Sequence, residues 1–241
     1  MPPLPTAVVH PCDRSSLEGA LQGAKMGLIA PLLVGPQEKI RAVAEEYGLN
    51  LAGHPIVDAP HSHAAAARAV ELVREGTAEA LMKGSLHTDE LMAAVVKREG
   101  GLRTVRRVSH CFVMDVPGHE DALIISDAAI NIAPTLADKV DILQNAIDLG
   151  HALLDAARTK KIDSPVAGCA NVLMVPDLEA GNMLAKSLSF LANSDAAGIV
   201  LGARVPVILT SRADSVLTRL ASCAVALMVA LKRREDADVL G

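Results

Sequence analysis

Val205-Pro206-Val207-Ile208-Leu209-Thr210 is an apolar, β-branched run that leads through Ser211-Arg212-Ala213-Asp214-Ser215 straight into an apolar helical pattern. A strand that delivers a polar turn to a helix start is the unit from which α/β folds are built. This turn brings a hydroxyl, a guanidinium and a carboxylate together. Helix capping accounts for one polar residue and leaves Arg212 over. Beside the free N–H groups and positive dipole end of a helix, these side chains suit a bound phosphate and a carboxylate that handles a proton.

The same alternation runs upstream. Val8 to His10, Ala30 to Val34, Ile56-Val57 and Ala80 to Met82 read as short strands. Helical patterns follow them at Ser15 to Met26, Gln37 to Tyr47, His63 to Glu75 and Asp89 to Glu99. Gly48 and Gly76 stand where helix ends favour a left-handed residue. From Val108 the texture changes: Ser109 to Asp115 and Ala122 to Ile125 read as consecutive strands with no helix between them. Further helices are predicted from Pro134 through Ile147 or beyond and up to Leu191, with strands at Asn171 to Val175, Ile199 to Leu201 and Val205 to Leu209. The chain is therefore α/β with a largely parallel sheet, a domain boundary near residue 107 and a frayed tail from Glu235.

Composition narrows the partner. With 241 residues and 51% hydrophobic content the chain can bury a large core. Aromatics make up only 1%, with no Trp, so the core is built from Ala, Val, Leu, Ile and Met, and stacking of nucleobases is disfavoured. A net charge of -5 argues against a nucleic-acid surface, which leaves a small metabolite. The start lacks a signal-peptide pattern and no apolar run reaches spanning length, so no membrane is expected. Cys12, Cys111, Cys169 and Cys223 are scattered, as reduced thiols of a cytoplasmic protein would be. His110-Cys111 could be a reactive pair, although a small buried residue is the base expectation for each cysteine. His61-Ser62-His63 reads as a solvated helix start rather than half a metal site.

Other strand-to-helix junctions are also rich in small polar residues. In an open α/β sheet such junctions lie at the carboxyl edge, where ligands bind. Lys83-Gly84-Ser85-Leu86-His87-Thr88 offers a close backbone approach at Gly84 and donors for phosphate or a carbonyl oxygen. Thr88, Ser126-Asp127 and Asp177 are equally readable as caps, with Asn182 either on a ligand or in solvent. Arg103, Arg106 and Arg107 form a basic stretch that is either a solvated loop or a seat for the phosphates of a nucleotide-containing cofactor.

Taken together, Lys83 to Thr88, Gly101 to His110, Ser126 to Pro134, Gln144 to Leu149, Asp163 to Gly168, Val175 to Lys186, Val200 to Pro206 and Leu209 to Ser215 resemble the phosphate acetyltransferase/phosphate butyryltransferase family. The resemblance implies transfer of an acetyl or butyryl group between coenzyme A and inorganic phosphate through an acyl phosphate. It implies no metal and no cofactor, with coenzyme A serving as substrate. It also implies a homodimer or larger homo-oligomer in the cytoplasm, binding neither nucleic acid nor membrane.

The implied fold is two three-layer α/β domains with an interdomain cleft, the second inserted into the first. Here that gives residues 1–107 plus 206–241 and residues 108–205. Ser211 and Arg212 match the family's Ser-Arg pair, and Asp214 is the candidate base, although in acetyltransferase-type members the base lies where this chain has Thr218. Lys83, Gly84, Ser85, His87, Thr88, Arg103, Ser126, Asp127 and Asn182 are the candidate substrate and phosphate ligands. Between Leu149 and Asp163 the chain lacks a strand–helix–strand section of roughly fifty residues, more than one βαβ unit. That shortening of the second domain raises an alternative function, a catalytically weak acyl-CoA-binding or regulatory remnant.

Overall fold

The computed structural model describes residues 2–159, 171–211 and 214–235, with the backbone alone at 154–159. Arg212, the Asp163–Gly168 stretch, Cys169 and the tail beyond Glu235 lie outside the described residues. The elements run β1 (Leu4–Val9), α1 (Arg14–Lys25), β2 (Ile29–Gly35), α2 (Gln37–Glu46), β3 (Ile56–Asp58), α3 (Ser62–Arg74), β4 (Ala80–Lys83), α4 (Thr88–Val95), β5 (Ser109–Asp115), β6 (Leu123–Ser126), α5 (Leu136–Thr159), β7 (Asn171–Met174), α6 (Leu178–Leu191), β8 (Asp195–Leu201), β9 (Val207–Ile208) and α7 (Val216–Glu235). This is an α/β chain.

Short polar side chains fix several helix starts. Asp13 accepts the Ser16 N–H at 2.8 Å before α1, and His61 accepts the Ala64 N–H at 3.2 Å before α3. His61 is therefore part of a helix start, as the sequence suggested. The α4 helix ends at Val95 rather than Glu99. The chain folds back there so that the Leu102 N–H reaches the Val95 carbonyl at 2.7 Å and Leu102 enters the core. β9 is shorter than the apolar run that encodes it, because Pro206 has no N–H to give the ladder.

The strands form one sheet in the order β3-β2-β1-β4-β9-β8-β5-β6-β7. Side chains alternate between its faces. Val8, Ile124, Ile199 and Ile208 pack under α1, α2, α5 and α7 on one side. Val9, Leu81, Val200 and Val207 pack under α3 and α4 on the other, where α6 covers Ile125 and Met114.

Strand direction positions the site. β1, β2, β3, β4 and β9 are parallel, but β8 runs antiparallel to β9, β5 antiparallel to β8, and β6 antiparallel to β5. β7 is parallel to β6. The carboxyl ends of β4 and β9 therefore share one edge, while β6 and β7 end at the opposite edge. The polar junctions after those two strands leave the sheet at that other edge, and only Ala129 and Asn182 from them reach the cavity beside β4 and β9.

Gly84 is the tightest point of the β4 junction. A Cβ there would lie 2.4 Å from the Val9 carbonyl oxygen and 2.6 Å from that of His10. Both contacts are backbone and cannot rotate away. Gly84→Ala is expected to destabilise the fold by about 1–3 kcal/mol, read as a lowered urea midpoint at unchanged m.

Candidate active site

Where β4 and β9 end, a cavity of about 670 Å³ opens between α4, α6 and the β9–α7 turn. Lys83, His87, Thr88, Asn182, Ser211 and Asp214 all line it. Six of the residues singled out in the sequence thus come together from three separate junctions.

The β9–α7 turn is built from its own hydrogen bonds. The Ser211 N–H donates to Asp214 Oδ2 at 2.6 Å, and the Asp214 N–H returns to the Ser211 carbonyl at 3.2 Å. Ser215 caps α7 by accepting the Thr218 N–H at 3.0 Å. Arg219, one turn into the helix and 6% exposed, donates from Nη2 to the Ser211 carbonyl at 3.2 Å. Gly19 of α1 makes room for it, since a Cβ there would stand 2.7 Å from Arg219 Cδ.

Burial pushes the Asp214 carboxyl above the usual aspartate range; the Ser211 N–H and the cations Arg219, Lys83 and Lys186 oppose that shift. Lys83 Nζ donates to the carbonyls of Gly84 and Leu86 at 3.2 Å, which holds the β4 junction in shape. Lys186 extends from α6 into the same cavity lining. Thr218 lines it too, its hydroxyl 3.0 Å from that of Ser215, so among the described residues of this turn Asp214 supplies the carboxylate.

The remaining candidates are placed elsewhere. Gly84 makes its close approach to β1, not to open space. Ser85 is committed to the same strand end, donating to the His10 carbonyl at 2.8 Å and accepting the Cys12 N–H at 3.2 Å. Ser126 is fully buried and donates to the His110 carbonyl. Asp127 accepts the N–H groups of Ala129, Ile130 and Asn131, which folds the loop after β6. Its carboxylate works as a turn cap.

Asp177 likewise caps α6, accepting from Ala180 at 2.8 Å. Asn182, a turn further in, reaches the cavity and lies 3.4 Å from the Ala128 carbonyl. Arg103 forms a backbone bridge with Ala203 and is absent from the cavity wall. Its neighbours brace α5: Arg106 pairs with Asp148, and Arg107 with Asp138 at 3.0 Å. The basic stretch is thus a brace. Cys111 is buried, its thiol pushed up to about 12 by desolvation, which removes it as a reactive group.

Sequence reasoning passed over Lys186 and Arg219, and noticed His110 only as a neighbour of Cys111. Arg219 had a signal, a lone cation inside an otherwise apolar helical pattern. Lys186 looked like any exposed helix lysine.

A family model described as "Phosphate acetyl/butaryl transferase" matches residues 61–158 and 151–227. The chain is 54% identical over 286 positions to the phosphate acetyltransferase of Rhizobium meliloti, covering 96% of this chain and 90% of that protein. It is 31% identical to the phosphate butyryltransferase of Clostridium acetobutylicum, over 93% of this chain and 92% of that one. The chain belongs to the phosphate acetyl/butyryl transferase family.

The crystal structure of a branched-chain phosphotransacylase from Enterococcus faecalis shares its fold, with a TM-score of 0.72 at 22% identity over 94% of this chain and 99% of that one. The alignment to the Rhizobium member also locates a gap. Ninety-six per cent of 241 residues is about 231, so about 55 of the 286 aligned positions have no residue in this chain. The two overlapping family-model segments put the gap near residues 151–158, in the second half of α5 and close to where the sequence pattern broke.

Arg219 anchors the Ser211–Asp214 turn from below. Arg219→Met is expected to cost about 1–3 kcal/mol in urea unfolding, because the Ser211 carbonyl loses a charged donor. It should also push the Asp214 carboxyl further up, seen by NMR titration of its side-chain carbon.

Proposed function

We propose that this chain moves a short acyl group, acetyl or butyryl, between coenzyme A and inorganic phosphate. The observation that carries this is the Ser211–Asp214 turn facing Lys83 and Lys186 across one cavity: a raised carboxyl, a hydroxyl and two cations around a space that fits an acyl phosphate. In the direction that consumes acyl phosphate, the Asp214 carboxylate takes the thiol proton of coenzyme A. The thiolate attacks the acyl carbon, a C–S bond forms, and the carbonyl electron pair moves onto oxygen. When that pair returns, the bond between the acyl carbon and the bridging oxygen breaks, and phosphate leaves with that oxygen.

Ser211 donates to the oxygen atoms that gain charge, and Lys83, Lys186, His87, Thr88 and Asn182 hold the phosphate end. Arg212, next in sequence to Ser211, is assigned to the phosphate through its family match. The chemistry closes with these side chains and coenzyme A as substrate, so no metal or cofactor is invoked.

The two-domain division follows the same reading. Residues 1–107 plus 206–241 supply the α4 start and the β9–α7 turn, and residues 108–205 supply β5, β8 and α6. We place the enzyme in the cytoplasm as a homodimer or larger assembly, binding neither nucleic acid nor membrane. In support, no helix among the described residues is long and apolar enough to cross a membrane. Leu136 and Val140, one helical turn apart on α5, are 84% and 65% exposed, as residues of a subunit interface would be in a lone chain. The relatives named above do not favour the binding-only alternative.

Coenzyme A release from acetyl-CoA and butyryl-CoA, with and without inorganic phosphate, is the test. Phosphate-dependent release is expected; coenzyme A binding without any such release would establish the remnant instead. Turnover should rise with pH through an acid limb above the ordinary aspartate range near about 4, because only the ionised carboxyl accepts the thiol proton. Asp214→Asn should abolish that limb and lower kcat by about 10²–10⁴. An Asn variant that folds and keeps full activity removes Asp214 from the role.

A further inference from the structure

His110 is the buried group that the chemistry above leaves unused. It sits on β5 beside Phe112's position in the same sheet face, is 1% exposed, and its ring lines the cavity. Nδ1 is sealed from solvent and has no hydrogen-bond partner among the described residues. Nε2 is the nitrogen toward β8, where Gly198 leaves room: a Cβ there would stand 3.1 Å from it and 2.5 Å from the Leu209 carbonyl. Phe112 holds the ring edge-to-face at 4.4 Å between centroids. The imidazole is thus fixed in place at the cavity wall.

A neutral imidazole has one N–H and one lone pair. Putting the proton on Nδ1 would strand a buried donor, at about 1–3 kcal/mol, whereas an unpaired acceptor is better tolerated. The proton therefore belongs on Nε2. We propose that His110 is a further substrate-touching residue of the transferase reaction, its Nε2–H donating to the acyl carbonyl oxygen as negative charge develops there. This inference rests on the function proposed above.

The ring is suited to donating without losing or gaining a proton. Desolvation pushes it down to about 4, with the Asp127 carboxylate opposing from the loop after β6. The other charged groups that line the cavity are Lys83, Lys186, Asp195 and Asp214. A neutral imidazole used in this way polarises a carbonyl while a separate carboxylate moves the proton. That division of labour matches His110 and Asp214.

The test uses His110→Phe and His110→Gln in the full chain, with acetyl phosphate plus coenzyme A as substrates. His110→Phe should fold and lose about 10²-fold in kcat while the KM for coenzyme A changes by less than about threefold. His110→Gln, which restores an N–H donor, should recover part of that loss. In ¹⁵N-histidine NMR of the wild type, the resonance missing from His110→Phe should report an Nε2–H tautomer that does not titrate between pH 5 and 8. Acetyl phosphate should shift it and inorganic phosphate alone should not.

Full turnover in His110→Phe, an Nδ1–H tautomer, or no shift with acetyl phosphate overturns the proposal. Absence of turnover in the wild type overturns the transferase reading instead, and the NMR arm still decides whether His110 meets the acyl oxygen. If His110→Phe does not fold, His110→Gln supplies the resonance assignment and the kinetic comparison.

Discussion

The reversal of strand direction between β9 and β8 is the constraint from which the site follows. Buried strands must pair their N–H and C=O groups, and both faces of this sheet are covered by helices; every strand between the edges β3 and β7 is held by ladders on either side. Ile199 and Val200 pair with Ile208 and Val207, while β9 stays parallel to β4. That seam joins a parallel half to a half whose last strands run the other way. It fixes which junctions share an edge, and the loop after β6 and α6 add Ala129 and Asn182 to the same cavity from the reversed half.

Around that edge the electrostatics are arranged from below as well as from within. Arg219 is buried in α7, with its guanidinium on the Ser211 carbonyl and its field on Asp214. Removing one partner from such a buried set leaves the other uncompensated, which is why a residue outside the cavity controls its shape. Lys83 behaves similarly, spending its ammonium on the carbonyls of its own junction while facing Asp214. The carboxyl stays raised because desolvation outweighs these cations, a balance suited to accepting a thiol proton.

The missing positions lie behind this arrangement. The gap opposite the Rhizobium relative falls in α5, on the sheet face that carries α1, α2 and α7, whereas the cavity opens toward α4 and α6. Arg106 and Arg107 tie α5 to the loop before β5 through Asp148 and Asp138. The described cavity wall is assembled from elements on either side of the gap.

Local pattern was enough for much of this molecule. Alternating strand and helix signals placed nearly every element within a few residues, because apolar periodicity and glycine stops are written in consecutive positions. The errors came at α4, β9 and the loop after β6, where a long-range backbone bond, a proline in a ladder and a strand reversal decide the outcome. The Ser211–Asp214 turn and the Lys83–Thr88 junction were legible as chemistry, and the family was legible in its motifs. What only the tertiary structure decided is which of those groups face one space. Ser85 and Ser126 carry the same hydroxyl as Ser211, yet their bonds are consumed by carbonyls that only folding brings near, while Asp127 is taken by the N–H groups of its own loop. His110 was visible in sequence only as the partner of Cys111; the fold seals one of its nitrogens and sets the residue in the cavity wall.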